Sequence, residues 1–194
     1  SNTAYFNCSV CERDGSLYLF TRRYRHHLEQ TTGGMEQGNR SDLAIWRIRD
    51  NLTLEPTPIL PVMPKRYPHE QWEDPRVVIG EDGIAYCAFA TWVHHQKWSI
   101  RQSFARLSPD WRHVEPLWES PYGGNTRKPE LNRVNEKNWI WFQHDSQWHC
   151  QYSINPGDAF RVDGKGNPVE VFKSREVTLP WEHGLPLRGG TPPV

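Results

Sequence analysis

The stretch Glu70–Trp92, EQWEDPRVVIGEDGIAYCAFATW, sets two acids, a proline and an arginine directly before an apolar, β-branched run. The run breaks at Asp82-Gly83 and resumes as a second apolar segment ending at Trp92. Two β-branched and aromatic segments around an Asp-Gly turn read as a β-hairpin. The same plan occurs twice more, in FNCSVCERDGSLYLFTRRYR and EKNWIWFQHDSQWHCQYSINP, with turns at Asp14-Gly15 and Asp145-Ser146. Asp14 and Asp82 are 68 positions apart, and Asp82 and Asp145 are 63.

Weaker pairs fill the intervals: SDLAIWRIRDNLTLEPTPIL, QSFARLSPDWRHVEPLWES and DAFRVDGKGNPVEVFKS, with turns at Asp50-Asn51, Pro109-Asp110 and Gly164-Lys165-Gly166. Four strands recurring about every 60 residues are the mark of β-propeller blades. The chain is therefore expected to be all-β, with blade one over about 4–62, blade two over about 70–121 and blade three over about 130–176. The tail HGLPLRGGTPPV reads as the opening of a fourth blade over about 186–194. Three blades cannot close a ring and remove their edges, so a partial propeller is expected. A β-sandwich with coincidental spacing is the alternative.

In a propeller the first strand of each blade lines the central channel, and the loops entering those strands meet at one end. Asn7, Glu73-Asp74, Glu136-Lys137-Asn138 and Gly189-Gly190-Thr191 are thus expected around one funnel. This explains a strand that is polar at its entry and apolar beyond.

The bulk properties narrow the function. The chain has 194 residues, 23 basic and 23 acidic, so no global field points to nucleic acid or to a membrane surface. No apolar run is long enough to span a bilayer, and SNTAYFNCSV lacks a signal-peptide pattern, so a soluble, cytoplasmic protein is expected. Ten tryptophans suit either packing or the flat faces of sugars. Cys8 and Cys11 form a C-x-x-C with no second pair, and their odd spacing in a strand points the thiols to opposite faces. The doublets His26-His27 and His94-His95 also lack metal spacing, so no metal is expected.

EDPR at the head of blade two, the Arg of YLFTRR, EKN at the head of blade three and GGTPP at the head of blade four together resemble glycoside hydrolase family 130. This is the family of β-mannoside phosphorylases and related mannosidases, with a five-bladed propeller. The resemblance runs from Asn7 to Pro193. It implies cleavage of β-mannosidic bonds with inversion, by phosphorolysis or hydrolysis, with Asp74 delivering the proton to the glycosidic oxygen. It further implies that Arg22 and Arg76 bind sugar or phosphate, and that Lys137, Asn138 and Thr191 line the same site. One departure is Asn7, which is followed by Cys8 where the family has proline.

Glycoside cleavage needs a proton donor at the leaving oxygen and a nucleophile at the anomeric carbon. Asp74 and Glu136, from successive blades, are the candidate carboxyls. Phosphate as nucleophile would need a cationic cradle, for which Arg22, Arg23, Arg25, Arg127, Lys128 and Lys137 are available. Strand alternation lets Arg22 or Arg23 face the channel, not both. Trp72, Trp92 and Trp139 flank the motifs and are candidate sugar-stacking walls. The expected partner is an oligosaccharide or glycoside, with inorganic phosphate a possible co-substrate, no other cofactor, and a homo-oligomer possible. A furanosidase-like five-bladed hydrolase and a non-catalytic glycan-binding propeller are the alternatives. Asn7 argues against the former, which wants an acid on blade one. The bland reading of Glu73-Asp74-Pro75-Arg76 is a surface turn in which Arg76 pairs with a neighbouring acid.

Overall fold

The computed structural model describes residues 2–31, 34–64, 71–93, 99–119, 140–151 and 159–173; for Asn2, 26–40, 92–93 and 99–101 it describes the backbone alone. Every element among them is a strand. β1 (Asn2–Arg13), β2 (Ser16–Thr31) and β3 (Gly34–Ile48) form one antiparallel sheet in that order. β4 (Gln71–Ile79), β5 (Ala85–Val93), β6 (Ser99–Leu107) and β7 (Val114–Glu119) form a second. β8 (Ile140–His144), β9 (Gln147–Gln151), β10 (Ala159–Val162) and β11 (Pro168–Phe172) form a third. Three successive meanders, each beginning with its inner strand, are blades of a β-propeller.

The turns follow from their residues. Asp14 (φ 51°) and Gly15 (φ 71°) turn β1 into β2, and Asp145 (φ 50°) and Ser146 (φ 57°) turn β8 into β9. Positive φ at both central positions matches the twist of the flanking strands, and Asp and Gly tolerate it. At the β10–β11 turn, Asp163 accepts the backbone N–H groups of Lys165 and Asn167, both at 2.8 Å. The Asn167 side-chain amide, which donates to Asp163 at 2.9 Å, and then these backbone bonds hold its carboxyl below the usual carboxylate range.

Blade one departs from the four-strand expectation. Among the described residues that follow β3, through 64, the chain pairs with the sheet's backbone only at the isolated bridges Ile48–Leu54 and Ile45–Ile59. Pro56, Pro58 and Pro61 supply the reason, since each lacks the N–H that a continuous ladder requires. The chain then crosses to blade two, where Val62 N–H donates to Arg112 O at 2.7 Å.

Two apolar layers hold the blades together. Phe20, Leu43 and Ile45 of blade one bury against Val77, Cys87, Phe89, Leu107 and Trp111 of blade two. Tyr86 and Phe104 of blade two bury against Trp141, Cys150 and Val162 of blade three. Phe104 is fully buried and meets Trp118 at 4.8 Å, Trp148 at 4.8 Å and Trp141 at 5.3 Å. Much of the tryptophan content is thus spent on mortar between blades. A polar clip adds to it: Gln143 accepts the Glu81 N–H at 2.7 Å, while Glu81 accepts the Ser146 N–H at 2.8 Å and its hydroxyl at 3.0 Å.

Candidate active site

The inner strands of blades one and two carry the same irregularity at the same place. In β1 the register slips between Phe6–Arg22 and Ser9–Phe20, so that Asn7 and Cys8 together oppose one residue of β2. In β4 it slips between Glu73–Ala90 and Arg76–Ala88, so that Asp74 and Pro75 oppose one residue of β5. Each bulge opens with a residue in the left-handed region, Asn7 at φ 51° and Asp74 at φ 53°. Asn and Asp are the side-chain-bearing residues that enter this region most readily. A bulge re-aims the side chains around it, and here it turns Asn7 and Asp74 towards one another.

They meet directly: Asn7 Nδ2 donates to Asp74 Oδ1 at 2.5 Å, across a sequence separation of 67 residues. Arg22 completes the group. Its Nη2 pairs with Glu73, its Nη1 lies 3.6 Å from Asp74 Oδ1, and its Nε donates to Ser41 Oγ at 2.7 Å. Ser41, itself fully buried, donates onward to Trp72 O at 2.9 Å. The side chains of Arg22, Glu73 and Asp74 are 14%, 9% and 10% exposed, so this is a nearly buried ion cluster rather than a surface pair. Among the described residues, Asn7 and Arg22 both meet Asp74 on Oδ1. Among the described residues no donor reaches Oδ2.

Arg76 follows the bulge on β4 and is half-buried. Burial pulls its guanidinium below the ordinary value, an effect partly offset by Asp74 and Cys8. The surface-turn reading of EDPR does not hold, because the four residues lie inside a strand and the cation on Glu73 comes from the neighbouring blade. Arg22 is the member of the Arg22-Arg23 pair that faces the cluster. Arg23 points to the other face of β2, where Asp42 takes it in two bonds of 2.6 and 2.7 Å and takes Arg25 at 2.9 Å. The Asp42 bonds hold Arg23 above its ordinary value. Arg23 and Arg25 therefore do not join Asp74 as parts of one cradle.

Trp72 is corrected from sugar wall to core. It is 4% exposed and stacked on Phe89 at 3.9 Å with the rings 13° apart. Its position flanking the motif did not reveal this, because the adjacent bulge resets the phase of β4. The backbone of Trp92 lies on β5 opposite Gln71. Glu136, Lys137, Asn138, Trp139 and Thr191, with Arg127 and Lys128, lie outside the described residues. Of the residues expected at the site, the structure brings together Asn7, Arg22, Asp74 and Arg76. It adds Glu73, Ser41, Phe6 and Tyr24. Phe6 lies 5.0 Å and Tyr24 5.8 Å from the Arg22 guanidinium carbon, ring centroid to Cζ. Glu73 stood in plain view in EDPR, whereas nothing in the sequence pattern marked Ser41.

Among the described residues no cluster of three His, Cys, Asp or Glu is placed to hold a metal ion. Cys8 is exposed and Cys11 buried. No helix among them is long and apolar enough to cross a membrane.

No protein-family model matches the chain, and no curated protein matches it. Among solved structures it is similar to a thermostable family-43 glycoside hydrolase, with a TM-score of 0.51 and 10% sequence identity. The match covers 97% of this chain and 75% of that one. The likeness is one of fold: the chain has a propeller fold shared with a glycoside hydrolase. It does not single out family 130.

Proposed function

We propose that the chain carries the glycone-side half of a glycoside-cleaving site, with Asp74 as the proton-transfer group. The observation that carries this reading is the pair of matched bulges, which sets an Asp carboxylate against Asn7 and Arg22 of the preceding blade. Oδ1 is anchored, and Oδ2 is the oxygen left to exchange a proton with the glycosidic oxygen. As the bond between that oxygen and the anomeric carbon breaks, Asp74 in its protonated form gives the Oδ2 proton to the leaving oxygen, while water attacks the carbon from the opposite face and gives up a proton to a carboxylate base. Glu136, the carboxyl expected from blade three, is the proposed base, and Lys137, Asn138, Trp92 and Thr191 are proposed substrate contacts.

Water is the nucleophile this reading favours. Arg22 is offset by Glu73 and Asp74, while Arg23 and Arg25 share Asp42 on the other face of β2, so Arg22 offers little unspent charge to a phosphate dianion beside Asp74. The EDPR motif supports β-mannosides as substrate. The likeness to a family-43 hydrolase supports the furanosidase-like alternative at least as well, although Asn7 stands where that chemistry wants an acid.

The test is to incubate the full chain with 4-nitrophenyl glycosides, β-mannopyranoside and α-arabinofuranoside among them, and with manno-oligosaccharides, with and without phosphate. Free sugar independent of phosphate is expected, and mannose 1-phosphate would instead establish phosphorolysis. Asp74→Asn is expected to lower turnover by about 10²–10⁴-fold, the range for general acid–base groups, while leaving the fold intact. Wild-type turnover in that variant would remove Asp74 from the chemistry.

A further inference from the structure

The polar cluster around Asp74 has an aromatic border that belongs to neither blade core. Phe6 directly precedes the bulge at Asn7 and pairs in register with Arg22, while Tyr24 lies two residues further along β2. Residues paired across an antiparallel ladder, and residues two apart on a strand, share a face. Phe6, Arg22 and Tyr24 therefore stand on one face, and the two rings lie 6.2 Å apart with their planes inclined by 50°. The guanidinium carbon of Arg22 lies over both rings, 5.0 Å from the Phe6 centroid and 5.8 Å from that of Tyr24. Phe6 nevertheless remains 38% exposed and belongs to neither inter-blade core.

We propose that Phe6 and Tyr24 form the platform on which the site receives an uncharged sugar ring, the C–H face of the sugar lying on Phe6. This rests on the glycoside reading above and names the ligand chemistry of that same site. Three features converge on it. The platform adjoins Asn7, whose side chain contacts the proposed working carboxylate, so a ring stacked there has its anomeric bond near Asp74. Arg22 already meets Glu73 and Asp74, which disfavours an anionic sugar such as a uronate. An aromatic ring presents a negative face to the weakly positive C–H groups of a sugar, and it loses little conformational freedom on binding.

A purely structural role for Phe6, holding Arg22 in place, is the competing account, and kinetics separate the two. On the full chain, with whichever 4-nitrophenyl glycoside is turned over, Phe6→Ala is expected to raise KM about fivefold with kcat unchanged, the worth of one stacking contact. Phe6→Trp is expected to restore KM. A fall in kcat at unchanged KM would assign Phe6 to holding Arg22 and overturn the platform. Binding provides an arm that does not depend on turnover. Calorimetric titration of Asp74→Asn with mannobiose and with methyl α-arabinofuranoside is expected to show binding of one of them that the double variant Asp74→Asn/Phe6→Ala weakens to the same degree. Equal binding by both proteins would overturn the platform while keeping a glycan site. Absence of both turnover and sugar binding in the wild-type chain would overturn the glycoside reading itself, and the platform with it.

Discussion

Replacing Arg22 by Met takes an ion-pair partner from two carboxylates in a place water barely reaches. Glu73 and Asp74 are about nine-tenths buried, and Arg22 forms an ion pair with each. Breaking a buried pair by removing one partner costs roughly 3–5 kcal/mol, because the remaining charge is left desolvated. Here Asn7 still donates to Asp74, and each side chain keeps a little exposure, so the lower end, about 3 kcal/mol, is expected. With a urea m-value of roughly 2–3 kcal/mol/M for a chain of this size, the unfolding midpoint should fall by about 1 M. Arg22→Lys keeps the charge but not the planar fork that reaches Ser41 and both acids, and should lose less than Arg22→Met. Glu73→Gln placed on top of Arg22→Met should recover part of the loss, with a coupling of about 1–3 kcal/mol. Equilibrium urea unfolding followed by tryptophan fluorescence, on the wild type, these three variants and Glu73→Gln alone, measures the losses and the coupling. A cost below about 1 kcal/mol for Arg22→Met, with no coupling to Glu73, is the behaviour of a hydrated surface pair and would refute the buried-cluster argument.

Glycine positions offer a sharper stability contrast: a Cβ on Gly166 (φ 80°) would sit 2.4 Å from Trp118, whereas one on Gly83 (φ 74°) meets nothing within 4 Å. Gly166→Ala should therefore lower Tm clearly more than Gly83→Ala, which carries only the backbone strain of about 1–2 kcal/mol. Burial pushes the Cys11 thiol up to about 12 and Cys87 further still, and Cys150 is fully buried. Ellman's reagent at pH 8 should thus titrate Cys8 alone until denaturant is added, and fast modification of a second thiol would contradict the packing. Burial, then the 2.6 Å hydrogen bond its hydroxyl donates to Asp82, raise the Tyr86 phenol from about 10 to about 12. The unfolded chain ionises first, so the stability Tyr86 contributes is complete below about pH 10 and is lost as the pH rises through about 12. Tyr86→Phe should flatten the stability curve over that window, and an unchanged curve would count against the raised value.

The blade plan could be read from the chain because it rests on local signals: Asp14-Gly15, Asp82-Gly83 and Asp145-Ser146 mark turns by their own backbone preferences. The convergence of Asn7 and Asp74 could be read from spacing, since a repeat places equivalent residues at equivalent points. What the pattern did not carry was side-chain direction. The period-two rule holds only while the ladder is regular, and at each bulge one extra residue shifts the phase, so Trp72 went to the core and Glu73 to Arg22. The role of Ser41 depends on a contact across three strands and two blades, for which a sequence offers no periodic trace. That residues 49–64 of blade one form isolated bridges rather than a fourth strand was written in their prolines, which the repeat argument outweighed.

The matched bulges of β1 and β4 have a consequence for variation of the site. Asn and Asp are nearly the same shape, and both accept the left-handed backbone that each bulge imposes. The direction of the side chain is fixed by the backbone, and its charge is set independently by a single atom. Blades one and two thus present sockets of like geometry, so acid and amide can trade places between them and alter the chemistry without rebuilding the wall.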